Sequence, residues 1–134
     1  MGLFSCKRPS DLGVKNGRLK PPPSSPNAVS SQVQDARHAI APLSYSSSPE
    51  RAMDALVRIV EATPRTHIIS RTSDYVYAEY ESALMGFVDD VEFWFEPNTK
   101  IIHVRSASRL GRSDFGVNRA RIEDIRRKLD ASGA

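Results

Sequence analysis

The segment FVDDVEFWF, residues 87–95, decides the fold because its residues alternate with the two-residue period of a β-strand. Asp89 falls on the face of this strand that is otherwise aromatic or aliphatic. Burying an ionised carboxylate is costly unless donors or cations surround it, so we expect Asp89 to be buried and paired. One face carries Phe87, Asp89, Val91, Phe93 and Phe95, and the other carries Val88, Asp90, Glu92 and Trp94.

The next strand is predicted to follow through the turn residues EPNT, 96–99. We expect residues 100–108 to return antiparallel to this segment, with Phe95 opposite Lys100. That register sets opposite charges across from each other, which stabilises a strand pair by about 0.2–1 kcal/mol. The other predicted pairs are Phe93 with Ile102, Val91 with Val104, Asp89 with Ser106, Glu92 with His103, and Asp90 with Arg105.

Two amphipathic helices are predicted outside this hairpin. Residues 49–62 begin with Ser48 as an N-cap and Pro49 at the first helical position, and their apolar residues lie on one stripe. Residues 117–130 follow the helix-start signals Ser113, Asp114 and Gly116. The Asp114 side chain is a candidate cap for this second helix.

Three further strands complete the pattern. Residues 38–45 form a short strand that Pro42 places at a sheet edge, and residues 66–71 and 75–82 form a hairpin. The order is β-α-β-β-β-β-α. It predicts a two-layer α+β domain, with a mostly antiparallel sheet and both helices on one face.

Composition divides the chain of 134 residues into one domain and a tail. We expect a flexible basic tail over residues 1–18 that folding does not need, an extended Pro/Ser-rich arm over residues 19–36, and the α+β domain over residues 37–134. Residues 1–27 hold five basic side chains and one acidic, whereas the rest holds 14 basic and 15 acidic. Nucleic-acid binding is therefore predicted only as weak contacts of the tail.

The apolar runs are too short to predict a membrane span, and residues 1–6 are too short for the hydrophobic part of a signal peptide. The expected location is cytoplasmic. Cys6 is the one cysteine, so neither an intramolecular disulfide nor a thiolate zinc cluster is expected. For residues 1–6, lipidation is an alternative to a disordered tail.

Four motifs resemble a known family. They are SPN followed by VSSQ at residues 25–32, FVDDVE at 87–92, HVRSASR at 103–109, and SDFGVNR at 113–119. Together they resemble the bacterial domain of unknown function 1499, over about residues 19–130. The resemblance implies membership of that family and brings no established activity with it.

The chain departs from this family at two positions. Where the family often has cysteine, this chain has Pro22 and Ala28. Any disulfide or ligand that such a pair supports in relatives is therefore not expected here. We interpret the role of the segment as conformational, with Asn27, Ser30 and Ser31 tying an irregular strand to the domain.

A polar cluster is predicted where the last strand ends and the last helix begins. Arginine binds carboxylate or phosphate bidentately and helix N-termini attract anions, so a small acidic ligand fits this region. The alternative is a purely structural network. We expect Asp90 to hold Arg105 and leave Arg109 free for an anion or for residues 27–31. The candidate residues are Asp89, Asp90, Arg105, Ser106, Ser108, Arg109, Ser113, Asp114, Asn118 and Arg119, with Asn27, Ser30 and Ser31.

An enzyme is the second hypothesis. A hydrolase would use Asp89 or Asp90 as base and Ser106 or Ser108 as nucleophile, but His103 and Ser106 lie on opposite faces of a strand. Motifs for a nucleophile elbow, a phosphate loop or a metal are missing, so no cofactor is expected. The sequence favours non-enzymatic binding of a small anionic ligand or a protein partner.

Overall fold

A computed structural model describes residues 7–83, 86–111 and 116–134. The elements in chain order are β1 (Ala28–Ser30), β2 (Leu43–Ser44), α1 (Pro49–Glu61), β3 (Thr66–Arg71), β4 (Tyr75–Glu81), β5 (Val88–Phe95), β6 (Ile101–Ser108) and α2 (Val117–Ser132). They form one six-stranded antiparallel sheet in the order β1-β6-β5-β4-β3, with β2 also paired to β6. The predicted α+β class and the order of its elements are confirmed. Within the described residues, neither helix is long and apolar enough to cross a membrane.

The first strand, β1, lies inside the predicted extended arm. Its three residues pair with β6, and Asn27 accepts a hydrogen bond from the Ser108 N–H at 3.0 Å. The strand predicted over residues 38–45 is reduced to β2, because Pro42 has no N–H to continue a ladder. One edge of the sheet is therefore built from short pieces held on β6.

Both helices pack on the same face of the sheet. Ser48 caps α1 by accepting a hydrogen bond from the Arg51 N–H at 3.2 Å, and Pro49 occupies the first turn. The α2 helix instead begins after Gly116, whose φ of 81° suits a residue without a side chain. Asp114, the predicted cap, lies outside the described residues. The core between helices and sheet includes Leu56, Val60, Phe93, Ile102, Val104, Ile122 and Leu129.

The β5–β6 register differs from the predicted one by two residues. Phe95 pairs with Ile102 and Asp89 with Ser108. The turn lies one residue further along each strand than predicted. Asn98 in this turn has a left-handed conformation with φ of 61°, and the Glu96 N–H donates to the Ile101 carbonyl at 3.1 Å. A shift of two residues preserves the side-chain faces. Each side chain of β5 therefore keeps its predicted face but meets a different partner.

The second face of the sheet is covered by the N-terminal segment, which we define as residues 7–23. The Gly13 N–H donates to Glu92 on β5 at 2.8 Å, and Arg8 pairs with Glu79 on β4 at 2.5 Å. Leu19 is buried, as are Tyr77 and Trp94 on the sheet. The expectation that residues 1–18 form a tail apart from the domain is therefore wrong for residues 7–18. Polar contacts to the sheet hold this segment, and an apolar period could not reveal them.

Deletion of residues 1–18 tests this docking. We expect it to lower the free energy of unfolding by about 1.5–3 kcal/mol, the contribution of a hydrogen bond to an ionised group, because Glu92 loses the Gly13 donor. Urea unfolding followed by Trp94 fluorescence measures the change. Deletion of residues 1–7 keeps Arg8 and Gly13 and serves as the control. An unchanged urea midpoint for the longer deletion would show that residues 1–18 do not contribute to the stability of the domain.

Candidate functional site

Adjacent carboxylates on β5 divide the predicted cluster between the two faces of the sheet. Asp89 faces the helices, and Asp90 faces the N-terminal segment. Both are buried, at 8% and 2% exposure. The candidate residues therefore form two separate groups, which we call the helix-face network and the second-face network.

In the helix-face network, Asp89 pairs with Arg121 of α2. Their side chains meet at 2.8 Å, and the Arg121 guanidinium also lies over the Tyr80 ring, 4.6 Å from its centroid. The prediction that Asp89 is buried and paired is confirmed. Its partner is not Ser106, because the shifted register places Ser108 opposite Asp89.

Asn118 joins this network to β6 and to the start of β1. It is fully buried, and its Oδ1 accepts hydrogen bonds from the Ser106 hydroxyl at 2.6 Å and from Arg121 at 2.7 Å. Its Nδ2 donates to the Asn27 carbonyl at 3.1 Å and to the Ser108 hydroxyl at 2.9 Å. Asn118 therefore connects α2 with β1 and β6, and the arrangement fits the structural interpretation of these residues.

In the second-face network, Arg109 carries the ion pairs. It donates to Asp90 at 2.8 and 2.9 Å and to Glu79 at 2.5 Å, and Tyr77 donates to Asp90 at 2.5 Å. Burial raises the pKa of Glu79, but hydrogen bonds from Arg8, Arg109 and Tyr77 outweigh burial and lower it to about 2. The hydrogen bond to Asp90, with a smaller contribution from Glu79, raises the pKa of Arg109. The predicted free arginine is therefore a structural one.

Arg105 has the opposite environment. It is 4% exposed, and its guanidinium donates to the main-chain carbonyls of Lys20 at 2.9 Å and Pro21 at 3.4 Å. Among the described residues it has no ion pair. Burial lowers its pKa and outweighs the attraction of Glu92 and Asp90. The predicted pairing of Asp90 with Arg105 is wrong, because the two-residue shift puts Glu92 opposite Arg105 and Ala107 opposite Asp90. Asp90 forms its ion pair with Arg109 instead.

A cavity of about 560 Å³ lies beside Arg105. It is lined by the sheet and by the N-terminal segment, which contributes Pro21, Pro22 and Pro23. Its charged lining consists of Lys7, Lys20, Arg105, Arg109, Asp11 and Asp90. Four cations thus stand against two carboxylates. Asp11 is paired with Lys20 at 2.9 Å and Asp90 with Arg109, so the excess positive charge belongs to Arg105 and Lys7.

The other predicted residues anchor the irregular N-terminal third of the chain. Asn27 donates to the Gly111 carbonyl at 2.9 Å, and the Ser31 hydroxyl accepts from the Val104 N–H at 2.8 Å. Ser30 is buried in β1, where its hydroxyl accepts from the Gln32 N–H at 3.1 Å. Arg119 donates to the Ala39 carbonyl at 2.8 Å. Ser113 and Asp114 lie outside the described residues.

The geometry gives Ser106, one of the two proposed nucleophiles of the hydrolase, a structural role, whereas the other, Ser108, lies opposite Asp89. Asp89 and Asp90 lie on opposite faces, and the Ser106 hydroxyl is fully buried in its bond to Asn118. His103 contacts Ser31 and Glu96 on the second face, away from Ser106. Groups of three or more His, Cys, Asp or Glu side chains that could hold a metal are also missing from the described part of the chain.

Sequence reasoning missed four contributors to these networks. Arg121 lies three residues after Asn118, so helical spacing could have placed both on one face. Tyr77 and Glu79 share the strand face of Asp90, which the alternation of β4 could have indicated. Arg8 carries no local signal, because its contact with Glu79 spans 71 residues.

The Asp89–Arg121 pair yields a stability prediction. Asp89→Ala should lower the free energy of unfolding by about 1–3 kcal/mol, because it leaves buried donors unpaired. A double-mutant cycle with Arg121→Ala should give a coupling of at least about 1 kcal/mol. The exposed pair Asp54–Arg71, at 3.4 Å, is the matched control and should couple by at most about 0.5 kcal/mol. Equal coupling in the two cycles would contradict the assignment.

Glu79 yields a pH prediction. Its pKa is lower in the folded chain, about 2, than its ordinary value of 4.5. Its contribution to stability is therefore complete above pH 4.5 and is lost as the pH falls towards 2. In urea unfolding, Glu79→Gln should flatten the pH dependence over this window, whereas Glu61→Gln on the exposed face of α1 should leave it unchanged. A profile that Glu79→Gln does not alter would contradict this role.

Comparison with known proteins adds one finding to this geometry. No curated protein matches the chain. One family profile, described as "Protein of unknown function (DUF1499)", matches residues 18–129. The match includes Arg105, Arg109, Asn118 and Arg121 and excludes Arg8 and Gly13. The resemblance of the four sequence motifs is thereby confirmed, and the chain belongs to this family of unknown function.

Proposed function

We propose that the chain binds a small anion, a carboxylate or a phosphate, in the 560 Å³ cavity beside Arg105. One observation carries the proposal: a buried guanidinium lines a cavity without an ion pair to any described carboxylate. A buried charge is normally paired, because desolvation disfavours it otherwise. An anion in the cavity would supply the missing partner.

The donor geometry of Arg105 supports this proposal. Nε and Nη2 are used on the Lys20 and Pro21 carbonyls, which fix the orientation of the guanidinium. Nη1 makes no hydrogen bond to a described residue and is not a buried unsatisfied atom. It therefore remains as a donor for a ligand. A charge-assisted hydrogen bond of this kind is about twice as strong as a neutral one.

The lining charges also favour an anion over other ligands. The carboxylates of Asp11 and Asp90 are already paired within the protein, whereas Arg105 is not. The cavity volume falls in the range of about 300–1,000 Å³ that is typical of small-molecule sites. Its concave shape, with three prolines in its lining, suits a small ligand better than a protein partner.

Titration calorimetry with sodium phosphate and with sodium succinate, at low ionic strength, tests the proposal. We expect at least one of these probes to bind the wild-type chain with a dissociation constant in the micromolar to millimolar range. Arg105→Met should weaken that binding at least about tenfold, the loss of one charged hydrogen bond. Arg105→Lys keeps the charge but lacks the planar guanidinium, so its affinity for the anion should lie between those of the wild-type chain and Arg105→Met.

Arg119→Met is the matched control. It removes the same charge from a side chain that also donates to main-chain carbonyls, those of Ala39 and Arg37, and that does not line the cavity. It should leave anion binding unchanged. Absence of binding of both probes to the wild-type chain would overturn the proposal, as would equal weakening by Arg105→Met and Arg119→Met.

A further inference from the structure

The structure holds a second cavity, on the helix face, whose chemistry differs from that of the anion site. It measures about 600 Å³ and lies between the C-terminal end of α1, the ends of β4 and β5, and the first turns of α2. Its apolar lining includes Pro64, Tyr80, Phe87, Leu110, Val117 and Ile125. Phe87 and Val117 are 38% and 49% exposed, so two of the three large apolar side chains left exposed among the described residues meet at this cavity.

The charged groups at this cavity balance one another. Asp89 is paired with Arg121 at 2.8 Å, and Asp124 is paired with Lys128 at 2.9 Å. The other two, Arg65 and Glu81, are of opposite sign. A charged ligand would therefore enter an apolar site without an available buried counter-ion, which is unfavourable. The lining favours an uncharged molecule.

Tyr80 supplies a specific polar group. Its side chain lines the cavity at 7% exposure, and its hydroxyl is buried without a hydrogen-bond partner in the described chain. Burial raises its pKa to about 12, so the hydroxyl keeps its proton and remains a donor. A buried polar group without a hydrogen-bond partner is uncommon in folded proteins, because most such groups are paired with protein or with ordered water. An acceptor oxygen on a bound molecule provides one.

We propose that this cavity binds an uncharged, mainly apolar small molecule that carries one hydrogen-bond acceptor for Tyr80. The body of the ligand contacts Phe87, Val117 and Ile125, and its acceptor reaches the Tyr80 hydroxyl. This site is separate from the anion cavity. The sheet lies between them, and Ser108 is the one described residue that lines both.

The test uses the uncharged fluorescent probe N-phenyl-1-naphthylamine and three competitors of equal chain length. We expect the fluorescence of the probe to rise on binding the wild-type chain. 1-Octanol should displace the probe at a concentration at least about tenfold lower than octanoate or octylammonium, because the ions must lose their hydration in an apolar site. Equal or better displacement by either ion would overturn the choice of an uncharged ligand.

Two sets of variants locate the site. Val117→Lys should abolish binding of the probe, and the milder Val117→Ser should weaken it, whereas Ile69→Lys, an equally drastic change at an exposed residue of β3, should have no effect. Tyr80→Phe should weaken displacement by 1-octanol roughly three- to tenfold, the loss of one hydrogen bond, without destabilising the free protein. Tyr45→Phe removes a hydroxyl that donates to the Thr99 carbonyl at 3.1 Å. This control should destabilise the free protein and leave the displacement by 1-octanol unchanged.

The proposal fails if the probe does not bind, or if Val117→Lys and Ile69→Lys affect binding equally. It also fails if sedimentation shows a dimer that Val117→Lys dissociates, because the groove would then be covered by a second copy of the chain. Anion binding beside Arg105 is measured independently of these outcomes.

Discussion

The structure depends on the cations and hydrogen-bond donors that three carboxylates on one fully buried strand require. All eight residues of β5 are buried, and Asp89, Asp90 and Glu92 are among them. Each carboxylate is contacted by a different part of the chain: Asp89 by α2, Asp90 by Arg109 just after β6, and Glu92, through its Oε2, by the N-terminal segment. Since an unpaired buried carboxylate is strongly unfavourable, these three requirements fix where the surrounding elements must lie. The hydrophobic core alone would account only for the packing of the helices on one face of the sheet.

Arg105 of β6 and Arg109, the residue that follows β6, show how much the position of one turn determines. Moving the turn by one residue along each strand places Ala107 rather than Arg105 opposite Asp90, which then forms its ion pair with Arg109, two residues beyond Ala107. Arg109 then becomes saturated with carboxylates, and Arg105 is left with main-chain carbonyls beside a cavity. The residue with structural ion pairs and the residue available to a ligand are thereby exchanged. The sequence neighbourhoods of these two arginines look alike, so the register alone separates their roles.

Sequence patterns predicted the parts of the fold that have a period. The helix of residues 49–62 and the strands around residues 66–71, 75–82, 87–95 and 100–108 were placed to within two residues, because burial on one or both faces imposes alternation. The burial of Asp89 followed from the same alternation. The turn at Asn98 and the docking of residues 7–23 were not predictable in this way. They depend on a single backbone conformation and on contacts between distant residues.

The N-terminal segment also determines when the second face of the sheet can close. Its contacts with the sheet join residues 71, 79 and 85 positions apart, from Arg8 to Glu79, Gly13 to Glu92, and Lys20 to Arg105. Closing such long loops costs chain entropy, and contacts of this kind slow folding. The segment precedes β4, β5 and β6 in the chain, yet its contacts require these strands to be paired. We therefore expect the carboxylates of the second face to stay in water while the helix-face core condenses, and the cavity beside Arg105 to form only after the sheet has paired.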